Sequence, residues 1–260
     1  MAKEVKEVVA PRTIIYDIDR GLSSLATDDQ IEKVFGYKPR RFIKIQSFIN
    51  LFQKLHTPGV IQVEDDLGPI EQEVFKGTKD IQIEVVDSIS AYQHQVKKEV
   101  KGEADRISLP MWGEIGETLE ELVYLLTRTD THVIILGHVK AESDNDLGII
   151  RFVPALSGRM QNEIGRYFDM VLYTNVETDK TTGHREYKWQ VLADDRRSAK
   201  CRIEAISKWA EDDRGRVPQD FEQLFKRAAG HKALKILILG ETGTGKTRSL
   251  RTLKGAGDYV

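Results

Sequence analysis

Apolar positions recur along this chain with two periods, and each period marks a set of elements. RTIIYDID (residues 12–19) is a β-branched and aromatic run ending in two aspartates, the pattern of a buried strand that reaches a polar edge. DIQIEVVDSIS (80–90) repeats it, interrupted by Gln82 and Glu84, with Asp87 towards its C-terminal end. THVIILGH (131–138), FDMVLYTNVE, YKWQVLADD and KALKILILG are further strand-length runs. Helical spacing marks FIKIQSFINLFQKL (42–55), EIGETLEELVYLLTRT (114–129) and PQDFEQLFKRAA (218–229), the last opening on a proline that a first helical turn tolerates. Between these, residues 22–36 read as loop or brief helix, 60–79 as acidic and turn-rich, and AYQHQVKKEVKGEADR as a polar connection. KAESDNDLGIIRFVPALSGRM reads as a long loop around a short strand.

Strands alternating with helices predict an α/β fold with a mainly parallel sheet, and no repeat or low-complexity linker divides residues 1–260 into more than a single domain. The segment 230–260 supplies one strand, one glycine-rich loop and one helix. About 30 residues cannot bury a core alone, so this segment is expected to insert into the preceding sheet. Hydrophobic residues make up 40% of the chain and charged residues 31%, enough for a core with a solvated surface. The net charge of −2 means that any nucleic-acid contact has to come from a local basic patch. A single cysteine, Cys201, excludes an internal disulfide framework, and no Cys/His cluster has zinc-ligand spacing. MAKEVKEVVAPRT has no uninterrupted apolar stretch, so neither a signal peptide nor a membrane contact is expected and a cytoplasmic setting is.

The sharpest chemical signal is GETGTGKT at residues 240–247, between a predicted strand and a predicted helix. Gly240, Gly243 and Gly245 allow a tight turn whose N–H groups cradle phosphate oxygens, with Glu241, Thr242 and Thr244 completing the loop and Arg248 following it. Lys246 is expected at the β/γ-phosphates and Thr247 at Mg²⁺, with ATP or ADP as the ligand. Magnesium also needs a carboxylate, and Asp87 after its apolar run is the candidate; the alternative is a strand-end aspartate that caps a helix.

Together VVDSIS, YDID, IILGH and GETGTGKT resemble a RecA-like ATPase core, most closely the compact phage RecA-like proteins that assist single-strand annealing and recombination. The resemblance implies a three-layer P-loop fold. It implies that Asp19 polarises the attacking water and that His138 senses the γ-phosphate. Because aspartate is one methylene shorter than the glutamate often found there, Asp17 or an intervening water is the geometric alternative, and an N-cap and a solvated strand end are the structural ones. It also implies that the loop after His138 grips single-stranded DNA through Lys140, Arg151, Arg159 and a stacking Phe152, although Glu142, Asp144 and Asp146 lie among them. Lys97, Lys98 and Lys101 are a second DNA candidate. Homo-oligomers of this type complete the site with a neighbour's cation, for which Arg196, Arg197, Lys200 and Arg202 form the densest segment.

In such cores the P-loop strand comes first, whereas here it comes last. A circular permutation accounts for this, with the old ends joined near AAGHKA; exchange of the terminal segment between copies is the rival. Two functions follow: a DNA-stimulated ATPase of the recombination class, or a nucleotide-gated assembly protein with negligible hydrolysis. A permuted GTPase has only the fragment TKD in its favour.

Overall fold

The computed structural model describes residues 11–24, 26–41, 48–49, 59–65, 68–75, 81–144 and 148–257, with the strands inside 59–75 given by backbone alone. Strand β1 (Thr13–Asp17) is buried throughout, as its apolar run predicts. Helix α1 (Asp28–Phe35) follows, in the stretch read as loop or brief helix. A capping box fixes its start: Thr27 Oγ1 accepts from the Gln30 N–H (3.3 Å) and Gln30 Oε1 from the Thr27 N–H (2.9 Å). Most of the helix expected over 42–55 lies outside the described residues; Phe48 and Ile49 are helical and buried.

The acidic stretch expected to be turn-rich instead forms a two-stranded antiparallel hairpin, β2 (Gly59–Asp65) and β3 (Gly68–Phe75), with Val63 opposite Ile70. Its period of two is hidden in the sequence by intervening carboxylates. Strand β4 (Ile83–Asp87) then leads through Ser88 into helix α2 (Ile89–Lys101). Ser88 Oγ accepts from the Ala91 N–H (3.2 Å), so Ser88 caps this helix and Asp87 does not. The polar connection predicted here is therefore helical as far as Lys101, because Ile89, Tyr92, Gln93 and Val96 fall on one buried face. Helix α3 (Leu109–Thr127) starts five residues before the predicted amphipathic segment and ends two before its predicted end.

Strand β5 (His132–Asp144) runs well past its predicted end and folds back on β6 (Ile149–Pro154), so the expected long loop is a β-hairpin. After a helical turn, α4 (Met160–Glu163), come β7 (Met170–Thr178), β8 (Arg185–Gln190), β9 (Lys200–Cys201) and α5 (Glu204–Glu211). Pro218 does not open a helix but ends the short strand β10 (Arg216–Pro218), a place where its missing N–H costs no ladder bond. Helix α6 (Phe221–Arg227) is capped by Asp220, whose Oδ1 accepts from the Gln223 N–H (3.2 Å). The chain then enters β11 (Lys235–Gly240) and the single turn α7 (Lys246–Ser249), continued as a 3-10 helix.

The main sheet has the order β1-β4-β5-β11-β7-β8-β10, parallel from β1 to β7 and antiparallel beyond. The late strand β11 is thus wedged between β5 and β7, with apolar core on both faces of the sheet. Tyr92, Leu119 and Leu122 of α2 and α3 cover one face; Ile31, Ile206, Leu224 and Leu253 cover the other, giving three layers. Glu84, inside the buried strand β4, is held by the hydroxyls of Tyr16 (3.0 Å) and Thr131 (2.7 Å), which offsets the cost of its burial. Among the described residues no helix is long and apolar enough to cross a membrane.

Candidate nucleotide site

Parallel pairing puts the strand ends in line: Asp17 is in register with Asp87, and Gly240 with His138. Open α/β sheets bind ligands at this carboxyl edge, and here it carries every residue singled out for nucleotide chemistry. The glycine-rich loop leaves β11 and turns with positive φ at Gly243 (+80°) and Gly245 (+88°), a region that only glycine enters cheaply. At Gly240 the demand is for space, since a Cβ would collide with Thr174 Oγ1 of β7. The loop wraps the Lys246 ammonium, which donates to the carbonyls of Gly240 (2.9 Å) and Glu241 (2.8 Å). Burial pulls the Lys246 pKa below its ordinary value, and Asp87, Asp19 and Glu241 partly restore it. Thr242 and Arg248 are exposed, and Thr244 bonds Thr174 hydroxyl to hydroxyl at 2.5 Å.

The Thr247 hydroxyl donates to Asp87 Oδ2 at 2.9 Å. Asp87 is buried, and desolvation first, then the charge of Asp19, raises its pKa to about 7 despite that hydrogen bond. Oxygens of Asp17, Asp19 and Asp87 all lie within 4.8 Å of one another. Asp19, Asp87 and the Thr247 hydroxyl offer hard oxygens suited to Mg²⁺, with Asp17 beside them bonded to Arg41 and Leu22.

The two aspartates of YDID differ sharply. Asp17 is fully buried, accepting from the Leu22 N–H (3.4 Å) and from Arg41 Nε (3.1 Å), while Arg41 also forms two bonds to Asp28 (2.7 and 2.8 Å). Burial raises the Asp17 pKa, and Leu22 and Arg41 pull it back. Asp19 is partly exposed, with His138 Nε2 3.9 Å from Oδ2; that imidazole and the Gly21 N–H (3.2 Å) hold its carboxyl below the usual range against partial burial. Asp19 therefore also caps the turn after β1, as the alternative reading had it. The backbone N–H of His138 is fixed by Ser90 Oγ (2.9 Å).

The candidate DNA contacts are placed differently. Lys140 pairs with Glu142 (2.9 Å), Arg151 with Asp144 (3.1 Å) and Arg159 with Glu120, and Phe152 lies under the Arg197 guanidinium, 5.2 Å from its ring centroid. Asp146 lies outside the described residues. Lys97 bonds Ser157 Oγ (2.7 Å). In the basic segment, Lys200 donates to the carbonyls of Gly165 (3.0 Å) and Phe168 (2.7 Å), Arg202 lies 3.6 Å from Asp169, and Arg196 is exposed.

Four residues that sequence inspection did not single out surround the site. Arg41 neutralises Asp17, and Thr174, Tyr187 and Gln219 brace the loop from the β7–β8–β10 side. Thr174, at the end of an apolar run beside the loop, carried a positional signal; the other three depend on pairing that no local pattern reveals.

No curated protein and no solved structure matches the chain. The model of one family, described as an AAA domain, matches residues 2–202, a stretch that contains Asp17, Asp19, Asp87 and His138 and ends before the glycine-rich loop. Because that match covers more than half of the chain, and the sheet is the mostly parallel one that P-loop nucleoside triphosphatases use, the chain belongs to the AAA domain family.

Proposed function

We propose that this chain is a magnesium-dependent ATPase with a RecA-like core in permuted order. The observation that carries this reading is the 2.9 Å bond from Thr247 to Asp87, which joins the two groups a P-loop site uses around its metal. Strand order supports the permutation: β11 sits between β5 and β7, as it would if it preceded β1 in the chain. Lys246 leaves the loop carbonyls for the β/γ-phosphates, and Thr247 and Asp87 would hold a Mg²⁺, which would supply positive charge against the phosphate oxygens. Asp19 orients a water and accepts its proton as the oxygen attacks the γ-phosphorus and the bond to the bridging oxygen breaks. Asp19 suits this role better than Asp17, whose oxygens are already committed to Arg41 and Leu22. His138, within reach of Asp19, senses the γ-phosphate.

The finer reading is stimulation by single-stranded DNA in recombination or annealing, with copies of the chain assembling so that a cation such as Arg196 enters a neighbour's site. Its support is the continuity of β5, which passes without a break from His138 into the hairpin with β6. The ion pairs of Lys140 and Arg151 would have to open for DNA to enter. Turnover of ATP with and without single-stranded DNA, for the wild type and Lys246→Ala, tests both levels. The variant should lose at least about a hundredfold. Turnover indifferent to DNA at low salt removes the DNA reading, and ATP binding without turnover leaves a nucleotide-gated binder.

A further inference from the structure

The metal and γ-phosphate groups all lie to one side of the loop. Asp17, Asp19, Asp87 and His138 come from β1, β4 and β5, whereas β11 has β7 as its other neighbour. A nucleotide lying along the loop with its γ-phosphate at these residues must therefore leave on the β7–β8–β10 side, past the residues that follow Thr247. There, Tyr187 of β8 and Gln219 after β10 pack directly on the loop: a Cβ built on Gly245 would stand 2.8 Å from Tyr187 Cδ1 and 2.8 Å from Gln219 Oε1. The Gln219 amide donates to the carbonyls of Thr244 (3.1 Å) and Lys188 (3.1 Å), and the Gln219 backbone N–H donates to the Tyr187 carbonyl (3.1 Å), so ring and loop form one braced unit. The half-buried Tyr187 ring is covered by the exposed Arg248 guanidinium, 4.9 Å from its centroid.

We propose that Tyr187 is the stacking platform for the nucleobase, beside the Arg248 guanidinium. The inference rests on the nucleotide reading above and adds the base-recognition residue that the motif lacks. An aromatic ring bearing a cation is a surface on which a purine stacks, because both present flat, polarisable faces.

The test compares ATP with inorganic tripolyphosphate, which has the phosphates but no base, on the full chain with magnesium. Tyr187→Leu should weaken ATP binding by about ten- to a hundredfold more than it weakens tripolyphosphate binding, the excess being the worth of one base-aromatic stack, while Tyr187→Phe should show no such excess. In Tyr187→Trp, ATP should quench the new indole and tripolyphosphate should not. Equal losses for both ligands in Tyr187→Leu would make the ring a mere brace of the loop and overturn the proposal, as would an unchanged ATP affinity. Failure of the wild type to bind ATP at all would overturn the nucleotide reading itself, an outcome distinct from either.

Discussion

The Thr247 hydroxyl and the Asp87 carboxylate, 160 positions apart in the chain, meet at 2.9 Å. The bond joins the helical turn after the glycine-rich loop to the end of β4, and it sets what the site does when protons, metal or side chains change.

Asp87 makes stability fall as pH rises. Its pKa is about 7 in the fold and about 3.9 in an unfolded chain. Between these values the folded state holds a proton that the unfolded state has released, so stability drops across this window and stays low above it. In chelator, the melting temperature of the wild type minus that of Asp87→Asn should decrease from pH 4 to pH 7. Magnesium with nucleotide should flatten the trend for the wild type alone. A difference that does not vary with pH would contradict the burial assigned to Asp87.

Asp19→Asn and Asp17→Asn should fail in different ways. The first removes the exposed carboxylate beside His138, so turnover falls by about 10²- to 10⁴-fold with nucleotide binding and melting temperature nearly kept. The second breaks a buried ion pair and should cost nearer 3 than 5 kcal/mol, since Arg41 keeps its two bonds to Asp28. Denaturant unfolding and single-turnover assays separate them. A fully active Asp19→Asn would remove it as the base.

Gly240→Ala should abolish nucleotide binding or folding, because its methyl group would enter the space of Thr174 Oγ1. Adding Thr174→Gly vacates that space, although it also deletes the hydrogen bond to Thr244. The double variant should therefore be more stable than Gly240→Ala alone, a coupling that a double-mutant cycle measures. Additive effects would contradict the packing of β7 on the loop.

Relocating residues 231–260 ahead of residue 1 through a flexible linker should preserve fold and turnover, because the sheet places β11 by pairing with β5 and β7 whatever its position in the chain. Circular dichroism and ATP turnover of the rearranged chain check this. An unfolded product would count against the permuted core.

Much of the site was legible because its signals are local. A strand ending in Asp87 or in Asp17 and Asp19, and a glycine-rich turn ending in Lys246 and Thr247, are written within ten residues each. The elements that went unread were those whose apolar positions stand among polar ones: helix α2, with Gln93, His94, Gln95 and Lys97 around Tyr92 and Val96, and the acidic hairpin β2–β3. The cations after His138 read as free for a phosphate backbone; their carboxylate partners Glu142 and Asp144 lie nearby in sequence, but Glu120 of α3, the partner of Arg159, does not.

The sequence by itself determined the chemistry available, because the phosphate loop and the strand-end carboxylates are short-range patterns of backbone freedom and side-chain charge. Only the tertiary structure decided how they are combined. Long-range strand pairing inserted the final strand between β5 and β7, brought Arg41 onto Asp17, and set Thr174, Tyr187 and Gln219 against the loop. Those contacts arise from hydrogen bonding and packing between segments far apart in the chain, which no local pattern encodes.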